Sequence, residues 1–352
     1  MKIEKPILKE LVSIASANTS RTPNIFSCVR LIHKGEEIKI QAMDNLSVET
    51  FAEVEEAGEE FDIFVNGSNL SKAVAHFNKH VEMRVDDGLL ILSEGAFVQR
   101  LKIATSENED TWKFPQEPLQ IFEMHETARK VLFNKIDSIP LPKMEGTPRG
   151  AVEFASDGVK LSTFSTTGTI LTKRQYPLEL PKFNLKLPTL TARLIAVNSG
   201  ACKFGIMSNN DGAYMAMFKF EHVKYFTRLY HFEYPNFDGI INQSKSPAFK
   251  MTAYDLKSEV AKFADFASVK ISWDNCEVSF SATSELGAMD DILSVEETYE
   301  ADKIKVNPSF IAKVIANIPD DSTIEVSKSG GGIATIFFKS DNNLGVVAGL
   351  KE

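Results

Sequence analysis

A strand-like stretch followed by a short amphipathic helix pattern occurs three times in this chain of 352 residues. The three copies span residues 61–77, 183–199 and 302–318, and their matching positions lie about 120 residues apart. Each copy has a Gly or Pro, then a Ser or Thr, then a basic residue: Gly67, Pro188 and Pro308; Ser68, Thr189 and Ser309; Lys72, Arg193 and Lys313. A repeat of this length is domain-sized, so three domains of one fold are predicted.

Each repeated helix has apolar residues at helical spacing, which predicts one face packed on a sheet. The apolar sets are Leu70, Val74 and Phe77; Leu190, Leu194 and Val197; and Ile311, Ile315 and Ile318. Pro308 suits the first helical position, and Asn307 before it is a good helix cap. A second helical pattern begins near residues 6, 126 and 253, one in each repeat.

The remaining sequence has the alternation and turn residues of β-strands. The prediction is an α+β fold with two helices per domain on one face of antiparallel sheets. The breaks contain aromatic-proline pairs, Phe114-Pro115 and Tyr234-Pro235. The predicted domains are residues 1–118, 119–236 and 237–352.

The formal net charge of −9 argues by itself against a nucleic-acid partner, because phosphate binding needs a basic surface. The charge is uneven, however: residues 66–80, 188–200 and 307–318 contain no Asp or Glu. Two interpretations stay open. These helices are ordinary solvated faces, or they form a weak, sequence-independent surface for DNA phosphates.

Several classes of protein are disfavoured. Three widely spaced cysteines form neither a disulfide framework nor a zinc motif, and the six histidines have no metal spacing. No apolar run is long enough to span a membrane, and the charged N-terminus is unlike a signal peptide. No catalytic constellation is recognisable. A cytoplasmic protein that is not an enzyme and has no cofactor is therefore expected, although a repeat-built enzyme remains a minor alternative.

Several segments resemble the bacterial β sliding clamp family, the β subunit of DNA polymerase III. They are LSTFSTTGTILTKRQYPL at 161–178, EYPNFDGIINQ at 233–243, VNPSFIAKVI at 306–315 and VVAGLKE at 346–352. The resemblance covers essentially the whole chain. It implies the three-domain clamp fold, with each chain forming half of a ring, and a head-to-tail homodimer that encircles duplex DNA without sequence preference. The divergence is compatible with a phage-encoded or a lineage-specific member.

The resemblance also implies a pocket that binds short peptides of DNA polymerase, the clamp loader and other replication proteins. The matching positions are Thr166, Gly168, Thr169, Ile170, Leu171, Pro235, Ile240, Phe266, Asn307, Phe310, Val346, Ala348, Gly349 and Leu350. The family's usual Met-Pro-Met near the C-terminus is here Ala348-Gly349-Leu350, and Ile170 and Gly239 stand at positions that are usually basic. A pocket of altered shape and lower positive charge is therefore expected.

Two further surfaces follow from the resemblance. The DNA-facing residues would be Arg21, Lys72, Lys79, Arg193 and Lys313. The dimer contact would pair the edge strand that contains Arg100, Leu101, Lys102 and Ile103 with a surface that contains Val260, Ala261, Asp290 and Asp291. The alternative function is a clamp-fold regulator or decoy that binds replication proteins without encircling DNA.

Overall fold

The computed structural model describes the chain except residues 23, 45, 105–111, 140, 141, 145, 211, 235, 243, 244, 286, 330–333, 351 and 352. Within this part of the chain no helix is long and apolar enough to cross a membrane. The helices are α1 (Lys5–Ser16), α2 (Gly67–Ala75), α3 (Glu126–Phe133), α4 (Thr189–Val197), α5 (Asp238–Ile241), α6 (Ala253–Lys262) and α7 (Pro308–Ile315).

The strands are numbered along the chain. The first twelve are β1 (Lys2–Glu4), β2 (Cys28–Lys34), β3 (Glu37–Met43), β4 (Ser47–Glu53), β5 (Phe61–Asn66), β6 (His80–Asp86), β7 (Leu89–Glu94), β8 (Phe97–Lys102), β9 (Ile121–Met124), β10 (Ala151–Ser156), β11 (Lys160–Thr166) and β12 (Ile170–Pro177). The others are β13 (Phe183–Pro188), β14 (Cys202–Asn209), β15 (Gly212–Lys219), β16 (Val223–Arg228), β17 (Ser246–Thr252), β18 (Val269–Asp274), β19 (Glu277–Ser284), β20 (Gly287–Ser294), β21 (Glu297–Thr298), β22 (Asp302–Val306), β23 (Thr323–Ser329), β24 (Thr335–Ser340) and β25 (Asn343–Ala348).

The chain divides into two compact units. Unit 1 is Met1–Met124 with Ser199–Arg228, and unit 2 is His125–Asn198 with Leu229–Glu352. The division falls inside the predicted middle domain, 119–236, so parts of that domain belong to each unit. The three-domain boundaries therefore stay a prediction based on the sequence repeat.

Unit 1 contains two sheets. The larger has the strand order β5-β2-β3-β4-β16-β15-β14-β9, and the smaller has the order β1-β6-β7-β8. Helices α1 and α2 pack on each other, and their apolar residues share one core with both sheets, including Leu11, Leu70, Ile40 and Leu90. Strand β4 pairs with β16, far away in sequence, and that pairing joins the two chain segments of this unit.

Unit 2 repeats this plan. Its larger sheet has the order β13-β10-β11-β12-β25-β24-β23-β17-β21, and the smaller has the order β20-β19-β18-β22. The corresponding long-range joint is the antiparallel pair β12–β25. Helices α6 and α7 pack on each other over a core that includes Leu256, Ile271, Ile311 and Phe338. The α+β class and the antiparallel sheets predicted from the sequence are confirmed.

The threefold strand–helix repeat is also confirmed, since β5–α2, β13–α4 and β22–α7 follow one another as predicted. Asn307 caps α7, because its side chain accepts a hydrogen bond from Ser309 N–H. Asn66 caps α2 in the same way, by accepting from Asn69 N–H. These caps satisfy backbone donors that have no partner within the helix.

The apolar face predicted for the middle helix is wrong. Leu190 is 44% exposed and Val197 is 69% exposed, whereas Thr191, Ala192 and Ile195 are buried. The predicted set is one residue out of register with the repeat: the buried Thr191 and Ile195 lie 121 residues after Leu70 and Val74, which is also the offset of Arg193 from Lys72. One residue rotates a helical position by about 100°, which turns the predicted face away from the core.

Basic residues on the first helices of two repeats close the ends of the second helices. Arg129 is buried on α3, and its Nη1 donates to Ile195 O at 2.8 Å and Ala196 O at 2.9 Å near the end of α4. Lys257 on α6 donates to Ile318 O just beyond α7 and pairs with Asp320 at 2.7 Å. Cations at a helix C-terminus satisfy free carbonyls and stabilise the helix dipole.

We predict that Arg129→Met destabilises the protein by about 3 kcal/mol, because it leaves two carbonyl groups of α4 without their donor. The adjacent Lys130→Met is the matched control, since Lys130 is exposed and pairs only with Glu126 one turn away. Urea unfolding of both variants measures the effect. Equal midpoints for the two variants would show that Arg129 does not hold α4.

Candidate functional site

An apolar cluster lies at the β12–β25 joint of unit 2. Its buried members are Phe164, Leu171, Phe337 and Val346, and its partly buried members are Tyr234, Phe237, Ile241 and Leu344. Leu171 and Val346 are direct register partners across β12 and β25. Side chains from three separate stretches of sequence thus meet at one place. We call these eight residues the apolar cluster.

The turn that leads into β12 borders this cluster and has a fixed shape. Thr166 Oγ1 donates to Ile170 O at 2.8 Å and accepts from Gly168 N–H at 2.9 Å. Gly168 has φ +95°, and a Cβ added there would lie 3.1 Å from Arg149 Nε. Glycine is favoured for both reasons, because side chains rarely adopt this φ and the space is occupied.

The predicted pocket residues divide between two faces of the sheet. Leu171 and Val346 belong to the apolar cluster, whereas Ile170 belongs to the core under α6 and α7. Phe266 and Phe310 pack against that same core, and Asn307 caps α7. Side chains alternate across a strand, so neighbours such as Ile170 and Leu171 necessarily face opposite ways. These four residues therefore have a structural use that is independent of any peptide.

The segment after β25 is tied down by backbone hydrogen bonds. Ala348 N–H donates to Thr169 O, Gly349 N–H to Ala334 O and Leu350 N–H to Lys305 O, at 2.9, 2.7 and 2.8 Å. A Cβ at Gly349 would lie only 2.7 Å from Ala334 O, so this close approach requires glycine. The change from the family's Met-Pro-Met to Ala348-Gly349-Leu350 thus accompanies a tight backbone contact.

Several predicted pocket residues are accessible. Gly168 and Thr169 are exposed, Ile240 is 41% exposed and Leu350 is 40% exposed. Pro235 lies outside the described residues. Ile240 belongs to α5, directly beside Ile241 of the apolar cluster. An exposed apolar side chain beside a buried apolar cluster, as Ile240 is here, is suited to contacting an apolar ligand.

The sequence prediction missed the aromatic half of the apolar cluster. Tyr234 packs edge-on against Phe164, with ring centroids 5.4 Å apart, and Phe237 stacks on Phe164 at 5.0 Å. The Tyr234 hydroxyl donates to Ala151 O at 2.6 Å, and burial raises the pKa of that hydroxyl, so it stays neutral. The sequence shows aromatic residues around Pro235, but this pattern predicts only a break between domains and not a binding site.

Lys245 was also missed. Its ammonium lies 4.5 Å from the centroid of the Phe337 ring and donates to Ile241 O. Burial, and then the nearby Lys339, lower the pKa of Lys245. A cation over an aromatic face is a favourable contact. The apolar cluster therefore has a positive group beside it, which the loss of basic residues at Ile170 and Gly239 did not predict.

The predicted DNA-facing residues lie on or beside the second helices and one loop. Lys72, Lys79, Arg193 and Arg21 are exposed, and Lys313 is half-buried. The ammonium groups of Lys72, Lys79 and Lys313 make no ion pair with another described residue. These cations are thus available to a phosphate partner, in contrast to the engaged Arg129 and Lys257.

Part of each predicted dimer surface lies on a sheet edge. Strand β8 is the edge of the smaller sheet of unit 1, and β20 is the edge of the smaller sheet of unit 2. Arg100 and Lys102 are exposed on β8, while Asp290 and Ile292 are exposed on β20. The remaining predicted residues are engaged elsewhere or peripheral: Leu101 and Ile103 pack against the core, Val260 is buried, Ala261 is exposed and Asp291 pairs with Lys262.

No group of three His, Cys, Asp or Glu side chains in the described residues is able to hold a metal ion. The features described above are an apolar cluster with Ile240 exposed beside it, the exposed cations Lys72 and Lys79, and the strand edges β8 and β20. Such features are suited to binding and assembly.

Comparison with solved structures identifies the fold. The chain is similar over 100% of its length to the sliding clamp (DNA polymerase III subunit beta) of Pseudomonas aeruginosa bound to griselimycin, with TM-score 0.87, 14% identity and 99% of that chain covered. It is similar to the Bacillus subtilis sliding clamp, with TM-score 0.87, 17% identity and 98% of that chain covered. It is also similar to the Helicobacter pylori β clamp bound to a DNA ligase peptide, with TM-score 0.85, 13% identity and 100% of that chain covered.

No protein-family model matches the chain, and no curated protein matches it in sequence. The fold is nevertheless that of the bacterial β sliding clamps over the whole chain.

Proposed function

We propose that this protein is a DNA sliding clamp, a non-enzymatic processivity factor that encircles duplex DNA as a homodimeric ring and tethers DNA polymerase. The observation that carries the proposal is the full-length likeness to bacterial sliding clamps. The runner-up, a clamp-fold decoy, has no observation of its own in its favour.

The charge distribution supports a DNA-facing role for the second helices. Helices α2, α4 and α7 contain basic residues and no acidic ones, in a chain of net charge −9. Repulsion from the acidic remainder would keep DNA away from other surfaces. Few phosphate contacts per helix favour weak, sequence-independent binding, which permits sliding.

Complementary strand edges support a head-to-tail dimer. Open edges have unpaired backbone groups that readily pair with another chain. The exposed side chains of β8 include Arg100 and Lys102, and those of β20 include Asp290. We infer that β8 of one protomer pairs with β20 of its partner, twice per ring, which closes the assembly and leaves neither β8 nor β20 as an open edge.

The apolar cluster supports a peptide-binding role. The H. pylori clamp structure contains a DNA ligase peptide, and this chain has the same fold. We infer that peptides of DNA polymerase, the clamp loader and other replication proteins place apolar side chains between Ile240 and Leu350 on this cluster. Burying one or two large apolar anchors is the usual source of affinity for such peptides.

The DNA role is tested by topological retention. A ring threaded over the open end of a bead-bound linear duplex stays on it when the end is then blocked with streptavidin, and escapes when the end stays open. We expect Lys72→Glu, Arg193→Glu and Lys313→Glu together to lower retention at least about tenfold, because each replaces attraction to phosphate by repulsion.

The control for that variant changes three exposed strand lysines, Lys160, Lys203 and Lys270, to Glu. It should be retained like the unchanged protein. Retention that is the same with open and blocked ends, together with the absence of six-lobed rings in negative-stain electron microscopy, would favour the decoy.

The dimer contact is tested by charge exchange. Arg100→Glu with Lys102→Glu should give monomers in light scattering, because two acidic residues then oppose Asp290. Adding Asp290→Lys should restore the dimer. Arg84→Glu, also exposed on the same sheet, is the control and should stay dimeric. A dimer that survives the first change would rule out this edge as the contact.

The peptide site is tested by fluorescence anisotropy with a short fluorescein-labelled peptide that carries Leu and Phe. Ile240→Glu with Leu350→Glu should weaken binding at least about tenfold, since the charges oppose burial of apolar anchors. Val159→Glu, at an exposed apolar position in the β10–β11 turn, should bind normally. If both variants bind alike, the peptide site is elsewhere.

A further inference from the structure

A lysine is the fifth residue of the first helix in each repeat: Lys9 in α1, Lys130 in α3 and Lys257 in α6. In unit 2 both lysines are engaged, because Lys130 pairs with Glu126 at 2.8 Å and Lys257 pairs with Asp320 at 2.7 Å. In unit 1, Lys9 is exposed and makes no ion pair with another described residue. The same helical position therefore has a free cation in α1 but not in α3 or α6.

The residue that begins each helix distinguishes α1 from α3. Helix α3 begins with Glu126, one turn before Lys130, whereas α1 begins with Lys5, one turn before Lys9. Lys5 is half-buried, and its side chain also makes no ion pair with another described residue. Four residues of a helix rise about 6 Å, so the two lysines of α1 are neighbours along one side of the helix. Helix α1 thus has two free cations where α3 has a neutral pair.

Helix α2 lies beside these two lysines. Ser16 Oγ of α1 donates to Gly67 O of α2 at 3.0 Å, and at the other end Lys5 N–H donates to Lys79 O at 2.8 Å, so the two helices are antiparallel. Each residue turns a helix by about 100°, which places Lys5 and Lys9 within about 20° of Ser16 around the axis of α1. Both lysines are therefore on the side of α1 that faces α2.

Two more free cations lie on the α2 side. Lys72 lies about 200° around the axis of α2 from the buried Leu70, so it faces away from the core. Lys79 follows the helix, and both lysines are exposed and without an ion pair to another described residue. We call Lys5, Lys9, Lys72 and Lys79 the lysine cluster.

The acidic residues near the lysine cluster are directed elsewhere. Glu10, the only acidic residue of α1, lies about 100° from Lys9 around the helix and lines a cavity beside β4. Glu94 accepts hydrogen bonds from the backbone N–H groups of Asn78 and Lys79, both at 2.8 Å. That carboxylate holds the turn after α2 by its backbone and makes no ion pair with a lysine of the cluster. The cluster therefore keeps its positive charge for an external partner.

We propose that the α1–α2 pair of unit 1 is the principal phosphate-binding element of this protein, and that Lys5 and Lys9 add phosphate contacts to those of Lys72 and Lys79. This inference rests on the proposed role as a DNA clamp and extends it to one unit of the chain. Four flexible ammonium groups suit the evenly charged backbone of duplex DNA, and contacts to phosphate carry no sequence information.

Unit 2 contributes less to this binding. Arg129 and Lys262, the remaining basic residues of its first helices, are held by carbonyl groups and by carboxylates. Its second helices add Arg193 and the half-buried Lys313. A duplex is therefore attracted more strongly to unit 1 of each protomer than to unit 2.

The salt dependence of duplex binding tests this inference. The affinity for a short fluorescein-labelled duplex is measured by fluorescence anisotropy at several NaCl concentrations. Each phosphate contact contributes about 0.9 to the slope of log affinity against log salt concentration. Lys9→Gln should lower that slope by about 0.9, and Lys5→Gln with Lys9→Gln by about twice as much. Lys130→Gln, at the matching position of α3, is the control and should leave the slope unchanged.

Equal slopes for Lys9→Gln and Lys130→Gln would overturn the inference, as would the absence of duplex binding by the unchanged protein at low salt. Retention on a duplex with a blocked end tests the clamp function separately. A protein that is retained only with the end blocked, but whose slope does not respond to Lys9→Gln, keeps the clamp function and loses this inference. A protein that needs Lys9 for duplex affinity, but escapes from blocked and open ends alike, keeps the phosphate site and loses encirclement.

Discussion

Antiparallel pairing between strands far apart in sequence holds each unit together. Strand β4 pairs with β16 in unit 1, and β12 pairs with β25 in unit 2. Each joint extends one continuous sheet across two chain segments, so the backbone hydrogen bonds of both segments are satisfied. The apolar cluster and the Glu49–Lys224 ion pair depend on these joints, because each joint brings together side chains that the sequence keeps far apart.

The two joints have opposite chemistry. At β12–β25, Leu171 and Val346 make an apolar contact that continues into a cluster of aromatic residues. At β4–β16, Glu49 and Lys224 make a buried ion pair that is completed by Gln41 and Glu117. A buried ion pair stabilises less than an apolar contact of similar volume, but it specifies geometry and partner charge. One fold position thus has an ionic row of side chains in unit 1 and an apolar cluster in unit 2.

The basic residues fall into two groups that differ in their hydrogen-bond and ion-pair partners. Arg129 and Lys257 on the first helices satisfy carbonyl groups at or beyond the ends of the second helices, and so contribute to folding. Lys72, Lys79 and Lys313, on or beside the second helices, have no such engagement among the described residues. A chain with an overall acidic charge therefore retains some basic side chains that no described carboxylate neutralises. The number of basic residues in the sequence does not separate these two groups, since both consist of ordinary lysines and arginines.

The sequence by itself determined the repeat, the α+β class, the strand–helix order of each copy and the cap at Asn307, because periodicity and capping act over a few residues. The family resemblance further predicted an edge strand at β8, and β8 lies at the edge of its sheet. The peptide-site roles of Leu171 and Val346 stay a prediction. The sequence prediction missed the register of α4, where a shift of one residue exposes Leu190 and Val197.

The tertiary structure alone decided which side chains share a face. It turned Ile170 and Leu171 to opposite faces of the sheet, brought Tyr234 and Lys245 to the apolar cluster, and paired Lys224 with Glu49. These neighbours are fixed by pairing between distant strands and by alternation across them. Alternation is visible in the local sequence, but the pairing partners and their register are not, because the same residues would pack differently if the strands met in another register.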